Sequence, residues 1–77
     1  MIDFNRVNSA AMGQFSTLLA TWLPAGKQQG AEYVSLNPCR ADHSMGSFSI
    51  NVKTGRWCDF ATGDRGGDPV SLYAYLH

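Results

Sequence analysis

Cys39, His43 and Cys58 are the three side chains of this 77-residue sequence that we consider as a set of metal ligands. Thiolate and imidazole are ligands that zinc prefers, and three of them with an open fourth position are typical of a catalytic site. The spacing is unlike that of a zinc site, because the chain contains no Cys-x-x-Cys pair. We therefore expect a surface cysteine, a surface histidine and a small buried cysteine, with no metal or other cofactor.

A glycine-rich segment, Gly63 to Asp68 (GDRGGD), stands directly before a predicted helix. The amides at a helix N-terminus bind anions, but no Lys-Ser/Thr pair follows, so the segment is not a nucleotide-binding P-loop. Two interpretations remain: a tight turn capped by Asp68, or a phosphate contact assisted by Arg65. The chain also has no nucleophile elbow, HExxH motif or obvious carboxylate pair. These absences predict a domain without catalytic activity of its own.

The segment from Ser47 to Phe60 is predicted to be a β-hairpin. Polar and apolar residues alternate up to Val52, and Lys53-Thr54-Gly55 supplies the turn. A three-residue turn places Val52 opposite Arg56 and separates the two faces, whereas a two-residue turn would mix them. The apolar face then comprises Phe48, Ile50, Val52, Cys58 and Phe60. The polar face comprises Ser49, Asn51, Trp57 and Asp59.

The polar face of this hairpin is the candidate binding surface. If a strand at Glu32–Leu36 joins the hairpin, Tyr33 lies beside Trp57 among serine and asparagine side chains. Such aromatic rings suit stacking of single-stranded bases, and nearby cations suit phosphates. The alternative is that the C-terminal helix covers Trp57 and Tyr33. The candidate nucleic-acid-binding residues are Tyr33, Arg40, Lys53, Arg56, Trp57 and Arg65.

Two helices are expected to cover the other face of the sheet. Apolar residues recur at three- and four-residue steps from Phe4 to Trp22, which predicts one amphipathic helix of about four turns that ends at Leu23-Pro24. It covers the core or, alternatively, binds a partner. Asp68-Pro69 opens a short C-terminal helix. The predicted fold is α+β with a three-stranded antiparallel sheet. Its predicted core is Phe15, Leu18, Leu19, Trp22, Val34, Leu36, Phe48, Ile50 and Phe60.

The composition restricts the class of protein. Six Lys and Arg balance six Asp and Glu, which excludes a strongly basic nucleic-acid binder but not a local basic edge. No apolar run reaches membrane-spanning length, and the polar N-terminus is not a signal peptide. Two cysteines are too few for a disulfide framework, so we expect a reduced, cytoplasmic protein without a membrane partner. Residues 1–77 are expected to form one domain, a fragment of a longer protein.

Residues 15 to 76 resemble the N-terminal zinc-ribbon domain of bacterial and phage-type DNA primases. The similarity is greatest to the degenerate, zinc-less version in plasmid and phage primase–helicase replication proteins. It is carried by the following motifs: Trp22-Leu23-Pro24, Asn37-Pro38, Arg40-Ala41-Asp42, Gly46-Ser47-Phe48, Thr54-Gly55-Arg56-Trp57, Asp59-Phe60-Ala61-Thr62-Gly63-Asp64, Gly66-Gly67-Asp68 and Ser71-Leu72. The resemblance implies a ribbon-like fold and contact with single-stranded template DNA during replication, beside the other domains of a primase or helicase parent chain. A protein-docking module within a replication complex is the alternative.

The resemblance also implies that the metal site is lost. The four ligand positions of zinc-bearing relatives fall on Pro38, Ala41, Asp59 and Thr62, which are not a zinc ligand set. Without the metal, other interactions must hold the two loops together. We expect side-chain-to-backbone hydrogen bonds from polar residues of the loops to do so. The residues expected to make them are Asn37, Asp59, Thr62 and Asp64.

Overall fold

The computed structural model describes residues 3–41 and 45–77. Over these residues the protein is α+β, with three helices and a five-stranded antiparallel sheet whose strands lie in chain order. The helices are α1 (Phe4–Met12), α2 (Phe15–Trp22) and α3 (Pro69–Leu76). The strands are β1 (Lys27–Gln29), β2 (Glu32–Ser35), β3 (Phe48–Asn51), β4 (Trp57–Asp59) and β5 (Arg65–Gly66).

The N-terminal apolar stripe forms two helices, so the prediction of one continuous helix is wrong. Asp3 caps α1, since its carboxylate accepts the amide proton of Arg6 at 3.1 Å. The break comes at Gly13, a residue that costs about 1 kcal/mol in a helix interior relative to alanine. The second helix ends at Leu23, directly before Pro24, as predicted.

The sheet has two strands more than predicted, one at each edge. The strand β1 pairs with β2 through a turn at Gly30, whose φ of +63° favours glycine. The strand β5 pairs with β4, and the amide of Asp59 bonds to the carbonyl of Asp64 at 2.8 Å. Both segments were predicted to be loops. At three and two residues they are too short to show a periodic pattern.

The hairpin register differs from the predicted one by one residue. Ile50 pairs with Trp57, and Phe48 pairs with Asp59. The loop contains four residues, 52–55, because the side-chain oxygen of Asn51 accepts the amides at positions 53 and 54 at 2.8 and 3.0 Å. Gly55 completes this loop with a φ of +81°. Asparagine commonly orders a turn in this way.

A shift of one residue moves every side chain of a strand to the other face of its sheet. Trp57 and Asp59 are therefore buried on the core face with Phe48 and Ile50, while Phe60 is 72% exposed. The predicted faces of β4 were wrong for this reason. The core comprises Phe15, Leu19, Leu23, Tyr33, Phe48, Ile50, Trp57 and Leu72.

The strand β2 also faces the other way from its prediction. Tyr33 pairs with Ile50 and lies in the core, whereas Leu36 lies just beyond the strand and is exposed. The Tyr33 hydroxyl donates to the carbonyl of Leu23 at 2.6 Å, which satisfies its polar group in the core. Val34 is buried but lies on the opposite face, level with Ser49. Of the other predicted core residues, Leu18 and Trp22 pack against the core at its edge.

The C-terminal helix covers Trp57, which was the alternative that the sequence left open. The indole N–H donates to the Ser71 hydroxyl at 3.0 Å, and the ring packs on Tyr75 with centroids 4.6 Å apart. Asp68 and Ser71 form a reciprocal capping box at the start of α3, with Pro69 in the first turn, so the predicted helix start is confirmed.

The register is tested by truncating two phenylalanines that the sequence placed on the same face. Phe48→Ala should destabilise the domain by about 3–5 kcal/mol because it leaves a cavity in the core. Phe60→Ala should change the free energy of unfolding by no more than about 0.5 kcal/mol, since that ring is exposed. Urea denaturation of both variants measures the difference. Equal losses would contradict the observed register.

Candidate nucleic-acid interface

The sheet face opposite the core carries a shallow groove of about 450 Å³, and among the described residues none from the three helices lines it. We call this sheet face the open face. Its floor is made by the small side chains of Ser49 and Cys58, which pair across β3 and β4. Arg56, Phe60 and Arg65 also line the groove. An aromatic ring and two guanidinium groups therefore surround a concave polar surface.

A row of paired residues crosses the sheet on this face and ends in a cation on each side. Ser49 lies at its centre between Val34, which is buried, and Cys58. Lys27 follows Val34 on β1, and Arg65 follows Cys58 on β5. Residues directly opposite each other in an antiparallel ladder share a face. Adjacent strands are about 4.8 Å apart, so the row spans about 19 Å. Lys27 was not among the predicted site residues, because β1 was not predicted.

The groove also contains one carboxylate. Glu32 accepts a hydrogen bond from the Ser49 hydroxyl at 2.5 Å and a longer one from the Asn51 amide at 3.4 Å. Both partners are neighbours on β3, and Asn51 lies directly opposite Glu32. The carboxylate is therefore held against the sheet at one end of the groove.

Five of the six site residues predicted from the sequence fall into two groups. Arg56 and Arg65 line the groove, and Lys53 is exposed at the end of the hairpin. Tyr33 and Trp57 lie in the core, so their predicted place as exposed rings on the polar surface is wrong. Trp57 nevertheless contributes to the lining of the groove. Burial raises the pKa of the Tyr33 hydroxyl above its usual value.

Phe60 is the exposed aromatic ring that sequence reasoning missed. It follows β4 directly, and its amide bonds to the carbonyl of Ser47 at 2.8 Å. Alternation along the strand would have placed it on the open face once Trp57 was assigned to the core.

The sixth predicted residue, Arg40, forms a bidentate ion pair behind the sheet. Its guanidinium donates to the two carboxylate oxygens of Asp59 at 2.6 and 3.1 Å. The Asn37 amide donates to the same carboxylate at 2.8 Å, and the Ala61 backbone amide does so at 2.9 Å. Asp59 is fully buried. The Arg40 guanidinium holds the pKa of Asp59 well below its usual range, against the opposing effect of burial and with support from the two amides.

This cluster continues into α3. The Asn37 amide also donates to the Tyr75 hydroxyl at 2.8 Å, and that hydroxyl donates to Asp64 at 2.9 Å. Burial raises the pKa of Tyr75, and the neighbouring Asp64 carboxylate raises it further. Thr62 accepts the amide of Asp64 at 3.2 Å. Polar side chains do join the two loops, but they do so through side-chain-to-side-chain bonds. The expected side-chain-to-backbone bonds of Asn37, Asp59 and Thr62 lie within each loop, so that part of the prediction is wrong. We call Asn37, Arg40, Asp59, Asp64 and Tyr75 the polar network.

Of the three metal-ligand candidates selected from the sequence, Cys39 and Cys58 lie among the described residues. Cys39 is exposed and its thiol donates to the Tyr75 carbonyl at 3.2 Å. Cys58 is half-buried on the open face, so its predicted core position is wrong. His43 and Asp42 lie outside the described residues. Within residues 3–41 and 45–77, no three Cys, His, Asp or Glu side chains form a cluster that could hold a metal ion.

Comparisons with protein-family models, curated proteins and solved structures found no match to this chain. The primase-type assignment is therefore a proposal that rests on the motifs in the sequence. In the part of the chain that the structure describes, no helix is both long and apolar enough to cross a membrane.

The polar network predicts how stability depends on pH. Because the folded-state pKa of Asp59 is depressed, its contribution is complete above the unfolded pKa of about 4 and is lost as pH falls toward the folded value. Asp59→Asn should cost about 3 kcal/mol at pH 7, the lower end for a broken buried pair, since Arg40 is partly exposed. Its deficit relative to the wild type should shrink below about pH 4.

Urea denaturation across pH 2–7 measures both effects. Asp3→Asn is the matched control, because asparagine caps a helix about as well as aspartate and Asp3 is exposed. A deficit for Asp59→Asn that stays constant across this range would show that ionisation of Asp59 does not stabilise the fold.

Proposed function

We propose that this domain is a non-catalytic, nucleic-acid-binding part of a primase-type or primase–helicase-type replication protein, and that it holds single-stranded DNA on its open face. The observation that carries the proposal is the groove that combines the exposed ring of Phe60 with Arg56 and Arg65. The motif resemblance supplies the biological context. The polymerase or helicase chemistry would belong to other parts of the parent chain.

The ring of Phe60 supplies a stacking platform. At 72% exposure, it has little to gain from the core of this domain. Stacking between bases and aromatic rings tolerates any sequence, because every base has a π-face. The stacking role was expected of Trp57. Because the observed register buries Trp57 and leaves Phe60 exposed, we assign the role to Phe60.

The cations are placed to meet phosphates although the net charge of the chain is zero. Of six basic residues, four lie on the open face or at its ends: Lys27, Lys53, Arg56 and Arg65. Local clustering of this kind steers and positions a phosphate backbone without a high overall charge. The small number of cations predicts a modest dependence of affinity on salt.

Phe60→Ala should weaken binding of a mixed-sequence single-stranded oligonucleotide by about 1–3 kcal/mol with little dependence on base composition. Tyr73→Ala is the matched control, since Tyr73 is a half-exposed aromatic residue on α3, away from the open face. Fluorescence anisotropy at low salt measures both affinities. Equal affinity of the two variants would contradict the stacking role.

Arg65→Ala and Lys53→Ala should each flatten the plot of log affinity against log salt concentration by about one unit. Each removes one phosphate contact at a different end of the groove. A wild-type slope near zero would show that the open face makes no phosphate contacts.

Docking onto a partner protein is a second candidate function, and a groove on the helical side favours it. This groove of about 560 Å³ runs between α1, α2 and α3, and Gln14 is the one polar residue among those described that line it. Phe4, Val7 and Tyr73 expose about half of their surface there. An uncharged apolar groove between helices fits the apolar face of an amphipathic helix. We propose such a helix as its occupant.

A model amphipathic peptide of leucine and lysine at helical spacing tests the docking proposal. It should shift backbone NMR signals of α1, α2 and α3, and Val7→Asp should abolish those shifts. A scrambled peptide of the same composition is the control. Equal shifts with both peptides, or none with either, would contradict a helix-binding groove.

A further inference from the structure

We propose that Glu32 makes the open face selective for guanine among single-stranded bases. This inference rests on the proposed function, because it concerns the same groove. A surface that binds only phosphates would not be expected to contain a carboxylate, and the inference gives Glu32 a role there. The inference is supported by two observations: hydrogen bonds from Ser49 and Asn51 orient the Glu32 carboxylate, and the same groove contains Arg56 and Phe60.

The carboxylate is oriented by neutral neighbours. Ser49 donates to one oxygen at 2.5 Å, and Asn51 donates to the other at 3.4 Å. Neither donor carries a charge, so the negative charge of Glu32 is not compensated by the side chains that orient it. A carboxylate has about four lone-pair sites. Two are used here, and one on each oxygen remains for a ligand.

Two adjacent acceptor sites match the edge of one base better than the others. Guanine presents N1–H and its 2-amino group side by side, so it can donate one hydrogen bond to each oxygen. Cytosine and adenine present an amino group next to an acceptor nitrogen. Thymine presents N3–H between two carbonyl oxygens, which a carboxylate repels. Recognition of unpaired bases at their Watson–Crick edge by side chains is the usual route to specificity in single strands.

The rest of the groove supplies what a strand with one base at Glu32 would need. Arg56 is level with Glu32 across the sheet, because its carbonyl accepts the amide of Asn51, and it offers a phosphate contact there. Phe60 lies four residues farther along and offers a stacking face to a neighbouring base of the same strand, and Arg65 offers a further phosphate contact. A carboxylate in such a groove repels phosphates, so it lowers affinity for strands whose bases do not pair with it. Attraction of one base and repulsion of the others both raise selectivity.

Fluorescence anisotropy with three oligonucleotides of about 12 nucleotides tests the inference. One is all thymidine, the second carries three central guanines, and the third carries three central inosines, which keep N1–H but lack the 2-amino group. The wild type should bind the guanine strand about 10-fold more tightly than the thymidine strand, with the inosine strand between them. Glu32→Gln should reduce the guanine preference to about 2-fold or less. Asp3→Asn, which removes a distant exposed carboxylate, should keep it.

The outcomes separate this inference from the proposed function. If Glu32→Gln binds all three strands more tightly and to the same extent, the carboxylate only repels phosphates and the inference is wrong. Equal wild-type affinity for the three strands would overturn the inference and leave the proposed function intact. If the wild type binds none of them at low salt, the proposed function fails and the inference fails with it. The inosine comparison needs no variant, so it holds even if Glu32→Gln is poorly folded.

Discussion

The buried ion pair between Arg40 and Asp59 is the interaction on which the rest of the structure depends. A buried carboxylate is tolerated only when its charge is paired and its lone pairs are satisfied. Here Arg40, Asn37 and the Ala61 amide meet that requirement. The pair joins the segment after β2 to β4, and through Asn37 and Tyr75 it reaches α3. Three parts of the chain that are distant in sequence are thus fixed by one carboxylate.

The same pair is coupled to the register that defines both sheet faces. Placing Asp59 in the core also places Trp57 there, two residues earlier on β4, and turns Cys58 and Phe60 away from it. Trp57 then contacts Ser71 and Tyr75 of α3. The hydroxyl of Tyr75 belongs to the polar network. The open face is formed by the side chains that alternate with the core residues along the strands. Its exposed aromatic ring and its cations lie at such positions or beside them.

Local signals in the sequence were sufficient for the end of α2, the start of α3 and the α+β class, but not for the break between α1 and α2. Asp68-Pro69 and Leu23-Pro24 act through neighbouring backbone groups, so their effects can be read within a few residues. The register could not be read in this way. It depends on Asn51, whose side chain builds a longer loop than was considered, and on partners of Trp57 and Asp59 that lie 14 to 22 residues away. A tryptophan and an aspartate were assigned to a polar face because those distant partners were unknown.

Under the proposed primase-type assignment, the polar network lies where zinc-bearing primase domains hold a metal ion. Asp59 then falls on one of the expected ligand positions, and Arg40 and Asn37 are next to two others. The claim that hydrogen bonds and an ion pair replace the metal is tested most directly by native mass spectrometry, combined with thermal melting in the presence and absence of a chelator. This account predicts no stoichiometric metal and an unchanged melting temperature. One zinc ion per chain, removed by the chelator together with the fold, would contradict it.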